Sequence, residues 1–285
     1  MTTTKYAIAL GMFDGVHIGH KAVLEGAVKS PYRSVAVTFS SIPGKTVGAL
    51  MTTAEREEKL KKIGIDEVLF LDFFKVKDLS PEEFLFFLWE KYNIAKICCG
   101  FNYRFGKKAA GDTTFLAEWC GKNEIEFFEC PEVISEGKTV SSTYIKNLIA
   151  EGEIEKANHL LEENFSFTAE VIKGDQRGRT WGLPTINQLY PESLVTPKRG
   201  VYQTVVEIRG KRYDGVTNIG LRPTFITDYI SAETYILDYG DDCYGESVKT
   251  ELYSFLREEK KFSSVEELIA AIKKNAEQVK NNSKK

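Results

Sequence analysis

The stretch Gly11-Met12-Phe13-Asp14-Gly15-Val16-His17-Ile18-Gly19-His20 constrains the fold of this chain more than any other. It follows the apolar run Tyr6-Ala7-Ile8-Ala9-Leu10, which has the pattern of a buried strand. It leads into Ala22-Val23-Leu24 and Gly26-Ala27-Val28, which read as a helix. A strand passing through a glycine-rich turn into a helix opens a parallel α/β sheet. The N-terminus of such a helix carries unpaired N–H groups and a positive dipole end, so it attracts phosphate, and glycine lets the backbone approach that ligand closely. Many α/β domains share such a turn, but this one also holds two of the chain's three histidines, His17 and His20. Imidazoles placed there can donate hydrogen bonds to phosphate oxygens and take up charge once phosphate raises their pKa. The arrangement suits attack on a nucleoside triphosphate, where charge stabilisation counts for more than covalent help.

The alternation of short apolar runs with helical stretches continues to about residue 150. Val35–Phe39, Val68–Leu71, Ile94–Cys99 and Ile125–Glu129 read as strands. Thr53 is the expected cap of a charged helix in which Glu55 and Lys59 stand at i, i+4 spacing. Ser80-Pro81 opens a further helix, with serine as cap and proline at the first position. Together these imply a Rossmann-like parallel sheet with helices on both faces, whose ligands bind beyond the carboxyl ends of the strands. After about residue 165 the pattern changes. Phe167–Val171, Gly200–Ile208, Lys211–Val216 and Ala232–Leu237 are strand-like and divided by turns such as Arg209-Gly210, which predicts an antiparallel β-barrel. A helix over Ser264–Val279 is expected to close the chain, and Ile145–Glu162 to form helices joining the parts. The predicted domains are 1–160 and 161–285.

At 285 residues, either division leaves room for a proper core. A net charge of −3 gives no basic field, so a nucleic-acid partner is not expected. No apolar run approaches the ~18 residues of a membrane span, and since the chain runs from Met1 almost at once into its first strand, no signal peptide is expected. The five cysteines show no zinc-like spacing, and Cys98-Cys99 sit inside an apolar run. A reducing, cytoplasmic setting is the expectation.

Two further stretches of the first half carry chemistry. Gly100-Phe101-Asn102-Tyr103-Arg104-Phe105-Gly106, continued by Lys107-Lys108, combines cations that would offset phosphate charge with rings that could stack on a planar base. Val140-Ser141-Ser142-Thr143-Tyr144-Ile145-Lys146 places hydroxyls in the first turn of a helix and a lysine within one turn. In this order and spacing, GMFDGVHIGH, GFNYRFG and SSTYIK resemble the bacterial FMN adenylyltransferase module of the HxGH nucleotidyltransferase superfamily. The resemblance implies ATP binding, attack of FMN phosphate on the α-phosphate and release of pyrophosphate. It also implies catalytic roles for His17 and His20, with Gly11, Phe13, Asp14, Gly19, Asn102, Ser142, Thr143 and Lys146 binding nucleotide.

In the second half, Gly174-Asp175-Gln176-Arg177-Gly178-Arg179-Thr180-Trp181-Gly182-Leu183-Pro184-Thr185-Ile186-Asn187 pairs a cationic glycine-rich loop with a hydroxyl and an amide, oxygen ligands that suit Mg²⁺. With Gly200–Tyr202, NIGLRPTF (Asn218–Phe225), AETYILDY around Glu233 and LREEKKF (Leu256–Phe262), it is similar to the riboflavin kinase module. The two modules together resemble the bifunctional bacterial riboflavin kinase/FAD synthetase family over nearly the whole chain. That resemblance implies riboflavin, FMN and ATP as substrates, FAD as final product and Mg²⁺ held by Thr185 and Asn187. Glu233 would be the base activating the ribityl hydroxyl, and Gly174, Gly178, Arg179, Gly182 and Pro184 would help to bind ATP and flavin.

Three positions depart from the family pattern. Lys146 stands where arginine is usual and loses the bidentate fork. Ser40-Ser41-Ile42-Pro43-Gly44 replaces a stretch resembling Asp-Pro-His-Pro, and Tyr235 replaces a common histidine. The first two motivate an alternative reading, a working kinase with an altered adenylyltransferase. A flavin-binding regulator without turnover is a third reading, but a pure binder has no need of a base such as Glu233.

Overall fold

Strand β1 (Tyr6–Leu10) lies at the centre of a five-stranded parallel sheet of order β3-β2-β1-β4-β5. Its neighbours are β2 (Arg33–Phe39) and β4 (Ile94–Gly100), with β3 (Glu67–Leu71) and β5 (Glu126–Cys130) at the edges. Ala7, Ile8, Ala9 and Leu10 are all buried, as expected of a strand covered on both faces. The computed structural model describes residues 4–40, 48–174, 178, 181–222 and 229–282. Most of the Ser40–Gly44 stretch therefore lies outside the described residues, as does Arg179.

The helices of this unit begin where local chemistry dictates. Helix α1 (Ile18–Val28) follows the glycine-rich turn. Helix α2 (Thr53–Ile63) is capped by Thr52, one residue before the expected cap, in a reciprocal box with Glu55. Glu55 is thus engaged by the cap instead of pairing with Lys59. After the short α3 (Phe73–Val76), α4 (Pro81–Lys91) starts as predicted, with Ser80 as cap and Pro81 in its first turn. Helix α5 (Thr113–Lys122) is capped by Asp112. A two-residue hairpin, β6 (Ile134–Ser135) with β7 (Lys138–Thr139), precedes α6 (Ser142–Glu151) and α7 (Ile154–Leu161).

The chain divides into two units, 1–144 and 145–285, so most of α6 and all of α7 group with the second. That unit is a closed antiparallel barrel of order β10-β11-β12-β9-β8-β13. Its strands are β8 (Ser166–Ile172), β9 (Thr185–Leu189), β10 (Gly200–Ile208), β11 (Lys211–Arg222), β12 (Tyr229–Ile236) and β13 (Ser247–Arg257), followed by a terminal helix, Val265–Asn282. Two of these strands, β9 and β13, escape a reading by apolar alternation. The reason is a partly polar barrel interior: Thr204, Thr217, Thr234, Thr250 and Gln188 are fully buried. Their side chains pair with one another, through Thr204–Thr217 and Thr217–Thr234 hydroxyl contacts of 2.8 Å each and a Thr250–Gln188 bond of 2.9 Å. Helix α7 is tied to the barrel by Asn158, which donates to the Leu252 carbonyl and accepts from the Phe165 amide.

Candidate active sites

In the first unit, the turn between β1 and α1 lies at the carboxyl end of the sheet. Phe13 (φ 50°), Gly15 (φ 84°) and Val16 (φ 43°) all adopt left-handed backbone, which is costly for a phenylalanine and more so for a β-branched valine. The surroundings hold this shape. The Phe13 ring is fully buried and lies so close to Gly11 that a Cβ there would sit 2.8 Å from it. The turn's carbonyls are engaged from outside: Thr38 and Arg56 donate to Met12 O (2.8 and 2.9 Å), Ser142 to Asp14 O (2.9 Å) and Lys59 to Gly15 O (3.1 Å). Asp14 accepts from the Leu50 amide at 2.8 Å.

His17 caps α1, its Nδ1 accepting from the His20 amide at 3.3 Å. With Nδ1 acting as acceptor, the proton of the neutral ring resides on Nε2. The two imidazoles stack, and the edge of His20 meets Phe13 at 5.4 Å. Burial lowers the His17 pKa to about 4 and holds that of His20 well below the usual value, with the neighbouring imidazole adding to the effect. His17 Nε2 and His20 Nδ1 are buried without a hydrogen-bond partner among the described residues. Buried polar atoms are nearly always satisfied, so this pair marks a place where a ligand would supply the partners.

Both histidines line a cavity of about 700 Å³ together with Gly11, Phe13, Gly19, Asn102, Ser142 and Thr143. Of the predicted rings, Phe105 is buried in the core and Tyr103 stacks on it at 5.8 Å, which leaves Phe101 as the exposed one. Arg104 pairs with Asp112 and Lys107 with Asp78, while Lys108 lines the cavity. Ser142 spends its proton on the turn, whereas Thr143 is exposed. Lys146 is buried on α6 in the second unit.

The barrel brings its predicted residues together by register. Asn187 on β9 and Asn218 on β11 flank Glu233 on β12, and Thr185 pairs with Tyr235. Thr185 Oγ1 donates to Glu233 Oε1 at 2.9 Å, and Arg222 Nη2 donates to Glu233 Oε2 at 3.2 Å and to Asn187 Oδ1 at 3.1 Å. Gly174 lies against Asn187, so that a Cβ there would fall 2.5 Å from its Nδ2. Gly182 forms part of the turn before β9 with φ 71°. Two cavities meet at Thr185 and Gly178. One, of about 410 Å³, is walled by Trp181, Phe262 and the terminal-helix residues Leu268 and Ile272, and contains Glu233 and Arg222. The other, of about 290 Å³, is bounded by Pro184, Tyr239 and Asp241.

Two family models divide the chain in the same way, FAD synthetase matching residues 1–144 and riboflavin kinase 161–283. The chain is 35% identical to the bifunctional riboflavin kinase/FMN adenylyltransferase of Listeria monocytogenes, over 96% of its own length and 91% of the relative's. It belongs to the bifunctional riboflavin kinase/FMN adenylyltransferase family. The corresponding protein of Bacillus subtilis is 32% identical over the same shares. A crystal structure described as a macrolide-efflux protein from Streptococcus pneumoniae superposes with a TM-score of 0.90 at 31% identity, covering 99% of this chain and 95% of that one. Among the described residues no helix is long and apolar enough to cross a membrane.

Within this family member, sequence reasoning missed Thr38, Arg56 and Lys59 at the first site, and Asn218, Arg222 and the terminal-helix wall at the second. A signal for Arg56 existed. Arg56, Leu60 and Ile63 fall at i, i+4, i+7, which puts the arginine on the apolar stripe of α2, where it is 6% exposed.

Proposed function

We propose that the barrel cavities carry out the first of two successive reactions and the histidine cavity the second. The chain phosphorylates riboflavin to FMN and adenylylates FMN to FAD, as a member of its family. The observation that carries the assignment is the Glu233 carboxylate, fixed by Thr185 and Arg222 in an aromatic-walled cavity, with Thr185 also lining a second, smaller one. The isoalloxazine would lie against Trp181 and Phe262, and the nucleotide would occupy the Pro184–Asp241 side. Glu233 would accept the proton of the ribityl hydroxyl as its oxygen bonds to the γ-phosphorus and the bond to the β,γ-bridging oxygen breaks, releasing ADP.

The donor set fits a hard cation. Thr185 Oγ1, Asn187 Oδ1 and the Glu233 carboxylate are oxygens within one hydrogen-bonded cluster, and Mg²⁺ favours one or two protein oxygens alongside substrate phosphates. Thr185 and Asn187 would hold it, and when bound it would offset the charge of the transferring phosphoryl group.

In the first unit, a phosphate oxygen of FMN attacks the α-phosphorus of ATP and pyrophosphate leaves, so no base is required. The task is to hold charge. His17 Nε2–H, the amides at the start of α1 and Lys108 line the cavity for that purpose. We place both steps in the cytoplasm, where ATP is available and thiols such as those of Cys98 and Cys99, pushed up to about 12 by burial, stay reduced. Incubating the protein with riboflavin, ATP and Mg²⁺ and separating the flavins over time tests the order. FMN should rise before FAD; conversion of supplied FMN with none from riboflavin would overturn the assignment of the barrel.

A further inference from the structure

One guanidinium nitrogen in the barrel touches an oxygen read above as a metal ligand. Arg222 Nη2 lies 3.1 Å from Asn187 Oδ1 and 3.2 Å from Glu233 Oε2. An NH₂ nitrogen of arginine carries two protons, and this one directs both at those oxygens. The second oxygen of the carboxylate accepts from Thr185, so the three groups read above as the cation's surroundings converge on one small region.

We propose that Arg222 is a built-in cation that holds Asn187 Oδ1, one of the two oxygens assigned above to the divalent metal, and Glu233 together until nucleotide arrives. A magnesium ion bonds oxygen at about 2.0–2.1 Å. It cannot take Asn187 Oδ1 while the guanidinium bridges that atom to Glu233, and two cations so close would repel. Bare metal must therefore displace Arg222 from both of these acceptors with no new anion to receive it. A nucleotide brings that anion: its phosphates offer the guanidinium an alternative partner at the moment the metal enters. The side chains of Arg222 and Glu233 are 32% and 39% exposed, which leaves the arginine room to swing. Two consequences follow. Metal enters this site as its nucleotide complex and not alone, and Glu233 stays paired, and so silent as a base, whenever nucleotide is absent.

This inference rests on the reading of Thr185, Asn187 and Glu233 as the metal and base cluster, and its test keeps the two apart. Free Mn²⁺ would be titrated by electron paramagnetic resonance against the full-length protein, with no nucleotide present. Arg222→Met should bind bare Mn²⁺ at least about tenfold more tightly than the unaltered protein, a change of about 1.4 kcal/mol, and the gain should vanish in Arg222→Met/Asn187→Leu. An unchanged or weaker affinity in folded Arg222→Met overturns the inference, as does a gain that survives the double substitution, since the site would then lie elsewhere. Thermal melting checks folding, and Arg222→Gln replaces the methionine variant if that one does not fold. Failure of the underlying reading shows differently: Glu233→Gln alone would still form FMN, whatever the manganese titration gives.

Discussion

The imidazoles of His17 and His20 lie face to face, ring centroids 3.6 Å apart and planes 19° from parallel. Burial penalises a charge on either ring, and a second charge at that spacing would be repelled by the first. Burial of His17, which is 3% exposed, lowers its pKa from the ordinary 6.5 to about 4. Between those values the unfolded chain binds more protons than the folded one. Stability is fully present above pH 6.5 and is lost as pH falls toward 4, by about 3 kcal/mol for this residue. Asparagine at position 17 can still cap a helix but does not titrate. Melting of His17→Asn should accordingly decline less between pH 7 and pH 5 than that of the unaltered chain; parallel curves would show that the histidine does not carry the effect.

His20 has an unpartnered buried nitrogen in the first cavity and no place in the barrel. His20→Ala should reduce FAD formation from FMN by about 10²–10³, the range for loss of one preorganised charge-stabilising donor. Riboflavin phosphorylation should keep its rate. Both rates come from one chromatographic time course, and undiminished FAD output would remove the role assigned to this residue.

Arg56 reaches two carbonyls beside the first cavity, Met12 O of the histidine turn at 2.9 Å and Phe39 O at the end of β2 at 2.7 Å. Its guanidinium, pulled below its ordinary pKa by burial, touches the backbone and not the reacting atoms, so it acts by positioning. Arg56→Met leaves those acceptors without their charged donor at about 1.5–3 kcal/mol per bond. We expect a lower melting temperature and a larger KM for ATP in adenylylation. Arg56→Lys, which can restore a single bond, should recover part of both. A melting shift with unaltered KM would mean that the arginine stabilises the unit without shaping the nucleotide site.

How legible this was in the sequence depended on the kind of interaction. The parallel sheet, the histidine turn and the Ser80-Pro81 helix start rest on local rules of periodicity and capping, and each appears at or near its expected residues. Strands β9 and β13 did not, because a barrel lined by threonine and glutamine blurs the apolar alternation by which strands are read. Lys59 looked like half of a surface pair with Glu55, yet one residue serves the phosphate turn and the other a helix cap. Arg222 sat unremarked within NIGLRPTF. Only the pairing of β11 and β9 on either side of β12 brings it to Asn187, thirty-five positions earlier in the chain.

Gly174 offers the sharpest separation of the two activities, because its effect is steric and confined to the barrel. A methyl group there would fall 2.5 Å from Nδ2 and 2.7 Å from Cγ of Asn187, closer than packed atoms approach. The neighbour is a side chain in the cluster proposed for phosphoryl transfer, so relief of the clash must move the amide away from Glu233 and Arg222. Catalysis by a positioned group loses about 10²-fold for a displacement near 1 Å. Gly174→Ala should therefore lower FMN formation by roughly that factor, with the adenylylation of supplied FMN untouched. Gly174→Ser should do no better, since it adds the same Cβ. If both variants phosphorylated riboflavin at the original rate, Asn187 could not be part of the machinery that this geometry assigns to it.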